Sequence, residues 1–233
     1  MKRRLMLLSM AIIGLVLTAS AINYNGAHFQ GIGKVAGKPL DFWVDIEMDD
    51  EEADINIGNI NKLTAEYKPG GTTSKPTFSV QVPRSTTAVF KSDDGGESYT
   101  GTIKINGLTI DLWFLKVPRK LKPSQLTDEE LNKIISSPDG YTCFAQLETQ
   151  GILACVTSDF TFADGRFDMQ CDSAEIQKMF SNFNGTYSVE NGQLNLVAAT
   201  GTKLTGKIYD NGKYLVVPVG SKGGMTLKLI LIR

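Results

Sequence analysis

The run SQLTDEELNKIISSP, Ser124–Pro138, carries the strongest helix signal after the first twenty-odd residues of this 233-residue chain. Thr127 and Glu130 have the spacing of a capping box, in which each side chain satisfies a backbone N–H at the other's position. Asp128, Glu129 and Glu130 put negative charge in the first turn, where the helix dipole favours it. Leu131, Ile134 and Ile135 form an i, i+3, i+4 apolar stripe, and Pro138 ends the pattern. On both sides the sequence changes to short runs of period two punctuated by glycine. The spacing therefore predicts a β-rich half over 22–122, a linker helix within 123–138 and a second β-rich half over 139–233.

The first 21 residues read differently. Lys2, Arg3 and Arg4 precede the apolar run Leu5–Leu17, and Thr18-Ala19-Ser20-Ala21 follows. This is the layout of a signal peptide over 1–21, cleaved after Ala21. The apolar run falls short of the roughly 20 residues that span a bilayer. No cysteine stands near the cleavage site, so the lipoprotein pattern is missing. The expectation is an exported chain, periplasmic or extracellular, with no transmembrane segment after cleavage.

Charge narrows the partners. Of 24 basic residues three lie in the leader, so the mature chain holds 21 against 25 acidic residues. There is no basic stripe, which argues against nucleic acid. The expected partner is instead a small molecule, a glycan or an envelope protein.

In the first half, Leu40, Phe42, Val44, Ile46 and Met48 alternate with Asp41, Trp43, Asp45 and Glu47, the signature of a half-buried strand. Asp49-Asp50-Glu51-Glu52 follows; like-charge runs are usually solvated turns, and the spacing is not that of an EF-hand. Further strands are expected at Phe29–Val35, Asp54–Ile57, Leu63–Tyr67, Thr77–Val82 and Ala88–Lys91. Tyr99–Ile105 and Leu108–Val117 flank Asn106-Gly107, a strong hairpin signal because a type I′ turn needs two positive φ angles. So many short strands imply a barrel or sandwich.

The strand at Leu40 has an echo. Leu40-Asp41-Phe42-Trp43-Val44 matches Ile110-Asp111-Leu112-Trp113-Phe114, and these are the chain's two tryptophans. In each, aspartate and tryptophan share the face opposite the aliphatic residues. Asp41, Trp43, Asp111 and Trp113 are therefore the candidate ligand-binding residues, an aromatic and carboxylate surface suited to a sugar or a protein. The competing expectation is that the second half covers the indoles and uses them as glue.

The second half repeats the hairpin grammar: Phe160–Met169 about Asp164-Gly165, Gly185–Leu196 about Asn191-Gly192, and Gly206–Val217 about Asn211-Gly212. These stretches, "FTFADGRFDM", "GTYSVENGQLNL" and "GKIYDNGKYLVV", resemble the lipocalin-like or calycin-like small β-barrels exported by gut-type Gram-negative bacteria. The resemblance implies an antiparallel barrel of about eight strands over Tyr141–Arg233 and transfers no catalytic residue. A lipocalin's early Gly-x-Trp is missing here. Thr100-Gly101-Thr102-Ile103 and Thr205-Gly206-Lys207-Ile208 also match, each ahead of an Asn-Gly turn. The expected fold is mainly β: two tandem small antiparallel β-barrels, lipocalin-like, joined by one helix. The alternative is one larger barrel or sandwich.

Cys143, Cys155 and Cys171 fit no zinc motif. A hairpin centred on Thr149 would set Cys143 opposite Cys155, and an exported chain permits that disulfide. His28 is the only histidine and lies near the new N-terminus, where order is poor. Triad and zinc chemistry both lean on histidine, and no phosphate loop is present, so no catalytic residue, metal or cofactor is expected. The expected function is an exported binding or interaction module. The alternatives are a carboxylate-dependent hydrolase of cell-envelope glycans, drawing on Asp41, Asp45, Glu47 or Asp111, and a structural envelope protein. Asp172-Ser173-Ala174 and Asn184-Gly185-Thr186 have the form of glycosylation motifs.

Overall fold

The computed structural model describes residues 22–38, 40–171, 177–178, 183–222 and 224–233. The leader, the Asp172-Ser173-Ala174 motif and most of Ser173–Phe180, a stretch whose sequence suits a short helix or an irregular excursion, lie outside the described residues.

The first half is a closed barrel. Its strands are β1 (His28–Val35), β2 (Asp41–Asp49), β3 (Glu52–Ile57), β4 (Asn61–Gly71), β5 (Pro76–Gln81), β6 (Thr87–Lys91), β7 (Ser98–Ile105) and β8 (Leu108–Val117). Each pairs antiparallel with the next, and β1 pairs with both β2 and β8, which closes the ring of eight. Closure leaves no edge strand to template association. The Asn106-Gly107 turn forms as expected, with φ of 52° and 79°. Asp50 and Glu51 make a similar tight turn at φ of 41° and 74°. The acidic run is thus a hairpin between β2 and β3.

Alternation fills the interior. Val44, Ile46 and Met48 of β2 point inward with Phe29, Phe78, Phe90, Tyr99 and Phe114, all fully or almost fully buried. Tyr24 plugs in from the N-terminal side; its hydroxyl lies 3.0 Å from that of Tyr99 and its ring 5.3 Å from Phe78. Gly31 shows how close the strands come. A Cβ there would lie 2.1 Å from the Trp113 carbonyl oxygen, so no other residue fits without moving backbone.

The second half contains β9 (Tyr141–Thr149), β10 (Ile152–Ala163), β11 (Arg166–Cys171), β12 (Gly185–Glu190), β13 (Gln193–Ala198), β14 (Lys203–Tyr209), β15 (Tyr214–Lys222) and β16 (Met225–Ile232). All pairings are antiparallel between successive strands, and β16 also pairs with β9. Two residue pairs, Phe42 with Ala154 and Asp41 with Cys155, join β2 to β10 and make the two sets one hydrogen-bonded sheet.

The helix, α1, covers Asp128–Ile135 rather than the whole of Ser124–Pro138. The capping box fixes its start: Thr127 Oγ1 accepts from Glu130 N and a Glu130 carboxylate oxygen accepts from Thr127 N. Before it, the chain is held extended against β14, with Asp210 N donating to Lys122 O at 2.8 Å. Asp128 accepts from Asn191 N and Gly192 N, both at 2.8 Å, pinning the helix to the β12–β13 turn. Arg233 donates to Ile134 O at 2.6 Å and Gly140 O at 3.0 Å, and lies over the Tyr141 ring. A cation at the helix C-terminus complements the dipole. Leu131 and Ile135 are fully buried among Tyr141, Phe160, Phe162, Phe167 and Tyr187, so the helix belongs to the second core.

Leu131→Ala should therefore cost about 2–5 kcal/mol, the usual range for truncating a packed leucine. Chemical denaturation of the variant checks this, and a midpoint equal to that of the parent would show the helix to be a loose tether.

Candidate functional site

Period two on three adjacent strands builds the site. β1 lies between β2 and β8, and its outward residues line up with theirs in four rows. Lys34 stands level with Asp111, and Ile32 between Trp43 and Trp113; Gln30 lies between Asp45 and Leu115, and His28 between Glu47 and Val117. Asp41 joins the first row, 4.0 Å from the Lys34 ammonium. The two Asp-x-Trp units therefore do share a face, separated by one strand.

Most of that face is covered by the second half. Trp43 is only 4% exposed and meets Phe144 edge-on at 5.4 Å; Trp113 stacks on the same ring at 5.7 Å. Ile32, Val117, Cys155, Tyr214, Ile230 and Ile232 complete the apolar seam. A side-chain hydrogen bond crosses it beside the β2–β10 backbone pairs: Tyr214 donates its hydroxyl proton to Gln30 Oε1 at 2.5 Å. The Tyr214 phenol is buried, which raises its proton affinity and keeps it a donor at neutral pH.

The candidate residues therefore part company. A platform of two open indoles does not exist, because Trp43 is inside the seam. Trp113 is half-buried and lines two clefts, of about 390 and 370 Å³. Ile32 and Lys34 line both; Thr142, Thr157 and Asp159 join the first, and Asp111 with Thr100–Thr102 the second. Asp111 is exposed and accepts from Thr102 Oγ1 at 2.7 Å. Asp41 is half-buried; burial raises its carboxyl above the usual range, and Lys34 opposes this. Leu40, expected in the first core with Phe42 and Val44, packs on the second core instead.

The Cys143–Cys155 pairing is corrected by register. The hairpin turns at Gln150-Gly151, so Cys143 stands opposite Ser158 and Cys155 opposite Gln146. An offset of three residues reverses the face: Cys143 enters the second core and Cys155 the seam. Both thiols are free and buried. Burial pushes Cys143 up to about 12 and Cys155 well above its ordinary value.

His28 is the residue the sequence undervalued. It does not fray: it opens β1, its side chain is 12% exposed, and Nε2 lies 3.0 Å from Asp45 Oδ1. Burial lowers its proton affinity, but the hydrogen bond and charge of Asp45 outweigh that and the net shift is upward. Gln30 Nε2 donates to the same Asp45 oxygen at 2.9 Å. The available signal was the alternation His28, Gln30, Ile32, Lys34, which extends the strand back to the histidine.

No protein-family model matches the sequence, and neither a curated protein nor a solved structure matches the chain.

Two outcomes follow. Emission from Trp43 should be blue-shifted and resist iodide, while Trp113 should carry the accessible component; Trp43→Phe and Trp113→Phe assign them, and strong iodide quenching in Trp113→Phe would contradict the seam. Iodoacetamide should leave Cys143 and Cys155 unmodified in the native protein at neutral pH. It should alkylate both after unfolding without reductant, whereas a linked Cys143–Cys155 peptide in the mass spectrum would restore the disulfide.

Proposed function

We propose that this chain is an exported binding module built as two tandem lipocalin-like barrels, and that it binds ligand on its outside, at the seam. The observation that carries this reading is Trp113. It is the half-open indole between two clefts that also present Lys34, Asp111, Asp159 and several threonines. Aromatic rings flanked by charged and hydroxyl groups suit a glycan, whose C–H faces stack and whose hydroxyls take hydrogen bonds. The interiors support the same conclusion by elimination: rings of Phe, Tyr and Leu fill both cores, which leaves the lumens to side chains rather than to a carried hydrophobe. The circuit of pairings from β9 through β16 back to β9 supports the second barrel.

Tryptophan emission titrated with envelope-derived oligosaccharides tests this. Trp113→Ala should weaken binding at least tenfold, and Trp43→Phe should keep the signal. Binding unchanged in Trp113→Ala would overturn the assignment.

One observation favours the hydrolase reading. Asp41, with its raised carboxyl, and Asp111 flank Lys34 in one row. Two strand spacings separate their backbones by about 9.6 Å, whereas inverting glycoside hydrolysis sets the carboxyl groups themselves roughly 6.5–9.5 Å apart. Lys34 occupies the space between, which weighs against it. Release of reducing ends from envelope glycans, lost in both Asp41→Asn and Asp111→Asn, would establish it.

A further inference from the structure

We propose that His28, Asp45 and Glu47 form a Zn²⁺ site on the outer face of β1 and β2, at the margin of the seam. One donor atom from each lies within 4.8 Å of the other two. Ligands on a tetrahedral zinc at about 2.0–2.1 Å stand roughly 3.4 Å apart, so modest side-chain rotation closes the set. The barrel fixes the backbone: His28 and Glu47 are direct cross-strand partners, and Asp45 lies two residues along on the same face. Glu47 is exposed and free to swing, which gives a cation a way in.

The surroundings have the form of an outer shell. Gln30 Nε2 holds Asp45, and Tyr214 of the second half holds Gln30. His28 Nδ1 is buried and faces the Pro118 carbonyl without a hydrogen bond of normal geometry. A metal-bound imidazole commonly donates its second N–H to a backbone carbonyl, and outer carboxylate partners orient the ligands. With Nε2 on the cation, Nδ1 carries the proton and that carbonyl is its natural acceptor.

Competing cations are held off. Among the described residues no lysine or arginine comes within 4.0 Å of the Asp45 or Glu47 carboxylates. Arg119 is engaged by Asp49 at 2.7 Å and Met48 O at 2.9 Å. Lys228 faces Asp45 from β16 but beyond ion-pair distance. One imidazole and two carboxylates are a borderline donor set that suits zinc, and three protein donors leave a fourth position to water.

Because His28 is the only histidine, its ring nitrogens give one unambiguous probe. Tag-free, chelator-treated mature protein is titrated with ZnCl₂ and followed by ¹⁵N-edited NMR of the imidazole and by calorimetry. We expect the His28 signals to shift with one zinc per chain, and Glu47→Gln to weaken binding at least tenfold. Among the described residues the Glu47 side chain has no hydrogen bond or ion pair, so that variant should fold, with circular dichroism as the check; His28→Gln should abolish the high-affinity phase. Imidazole nitrogens unmoved by excess zinc, or Glu47→Gln binding as tightly as the parent, would overturn the site.

Discussion

The aromatic contact between the two halves is the packing of Trp43 and Trp113 against Phe144, beside the short β2–β10 ladder. The first core leaves the indoles no inward choice, because Phe29, Val44, Leu112 and Phe114 already fill it. Period two then sends Ile32, Trp43 and Trp113 outward as a bar of apolar surface. Left in water, such a bar would be a contiguous sticky patch. Burying one large aromatic of about 150–250 Å² at about 25 cal/mol per Å² is worth about 4–6 kcal/mol. The Tyr214–Gln30 hydrogen bond, at about 1 kcal/mol net, is a smaller term. Apolar contact therefore holds the seam, and the β2–β10 backbone pairs set its register.

The sheet connection has a second implication. The strands that join the halves are β2 and β10, the second strand of each, and they run antiparallel. The sequence echo does not point to the same equivalence. Thr100-Gly101 lies on β7, the seventh strand of its half, whereas Thr205-Gly206 lies on β14, the sixth of the other. What those glycines share is local. A Cβ on Gly101 would lie 2.5 Å from Phe90, and one on Gly206 2.7 Å from Val217. The echo records a common packing constraint, and does not by itself make the halves equivalent.

Local chemistry was legible in the sequence; long-range register was not. The capping box, the x-Gly hairpins and the alternation of Phe42–Met48 each follow from interactions within a few residues, and each appears where its residues dictate. The cysteine pairing failed for the opposite reason. Placing the turn at Gln150-Gly151 instead of Thr149 moves the partner of Cys143 by three positions and reverses its face. Phe144 could not be singled out, since its importance comes from Trp113 and Trp43, which lie in β8 and β2 of the other half. His28 was discounted by its nearness to the N-terminus. Pairing of β1 on both edges is what orders it, and closure of a barrel is not a local property.

The rows on β1 also explain why two different chemistries can share one face. The apolar row of Trp43, Ile32 and Trp113 divides it. Lys34 with Asp41 and Asp111 lies on one side, beside the clefts; Gln30, Asp45, His28 and Glu47 lie on the other. From Lys34 to His28 is six residues, about 20 Å at strand rise. At physiological ionic strength the Debye length is about 8 Å, so charges exposed at the two margins feel each other weakly through solvent. Between them lies a row that the second half seals against Phe144. A glycan resting on Trp113 and a cation held by His28 would then sit at opposite ends of β1, with the seam between them. Tyr214 touches the His28 margin through Gln30, which holds Asp45.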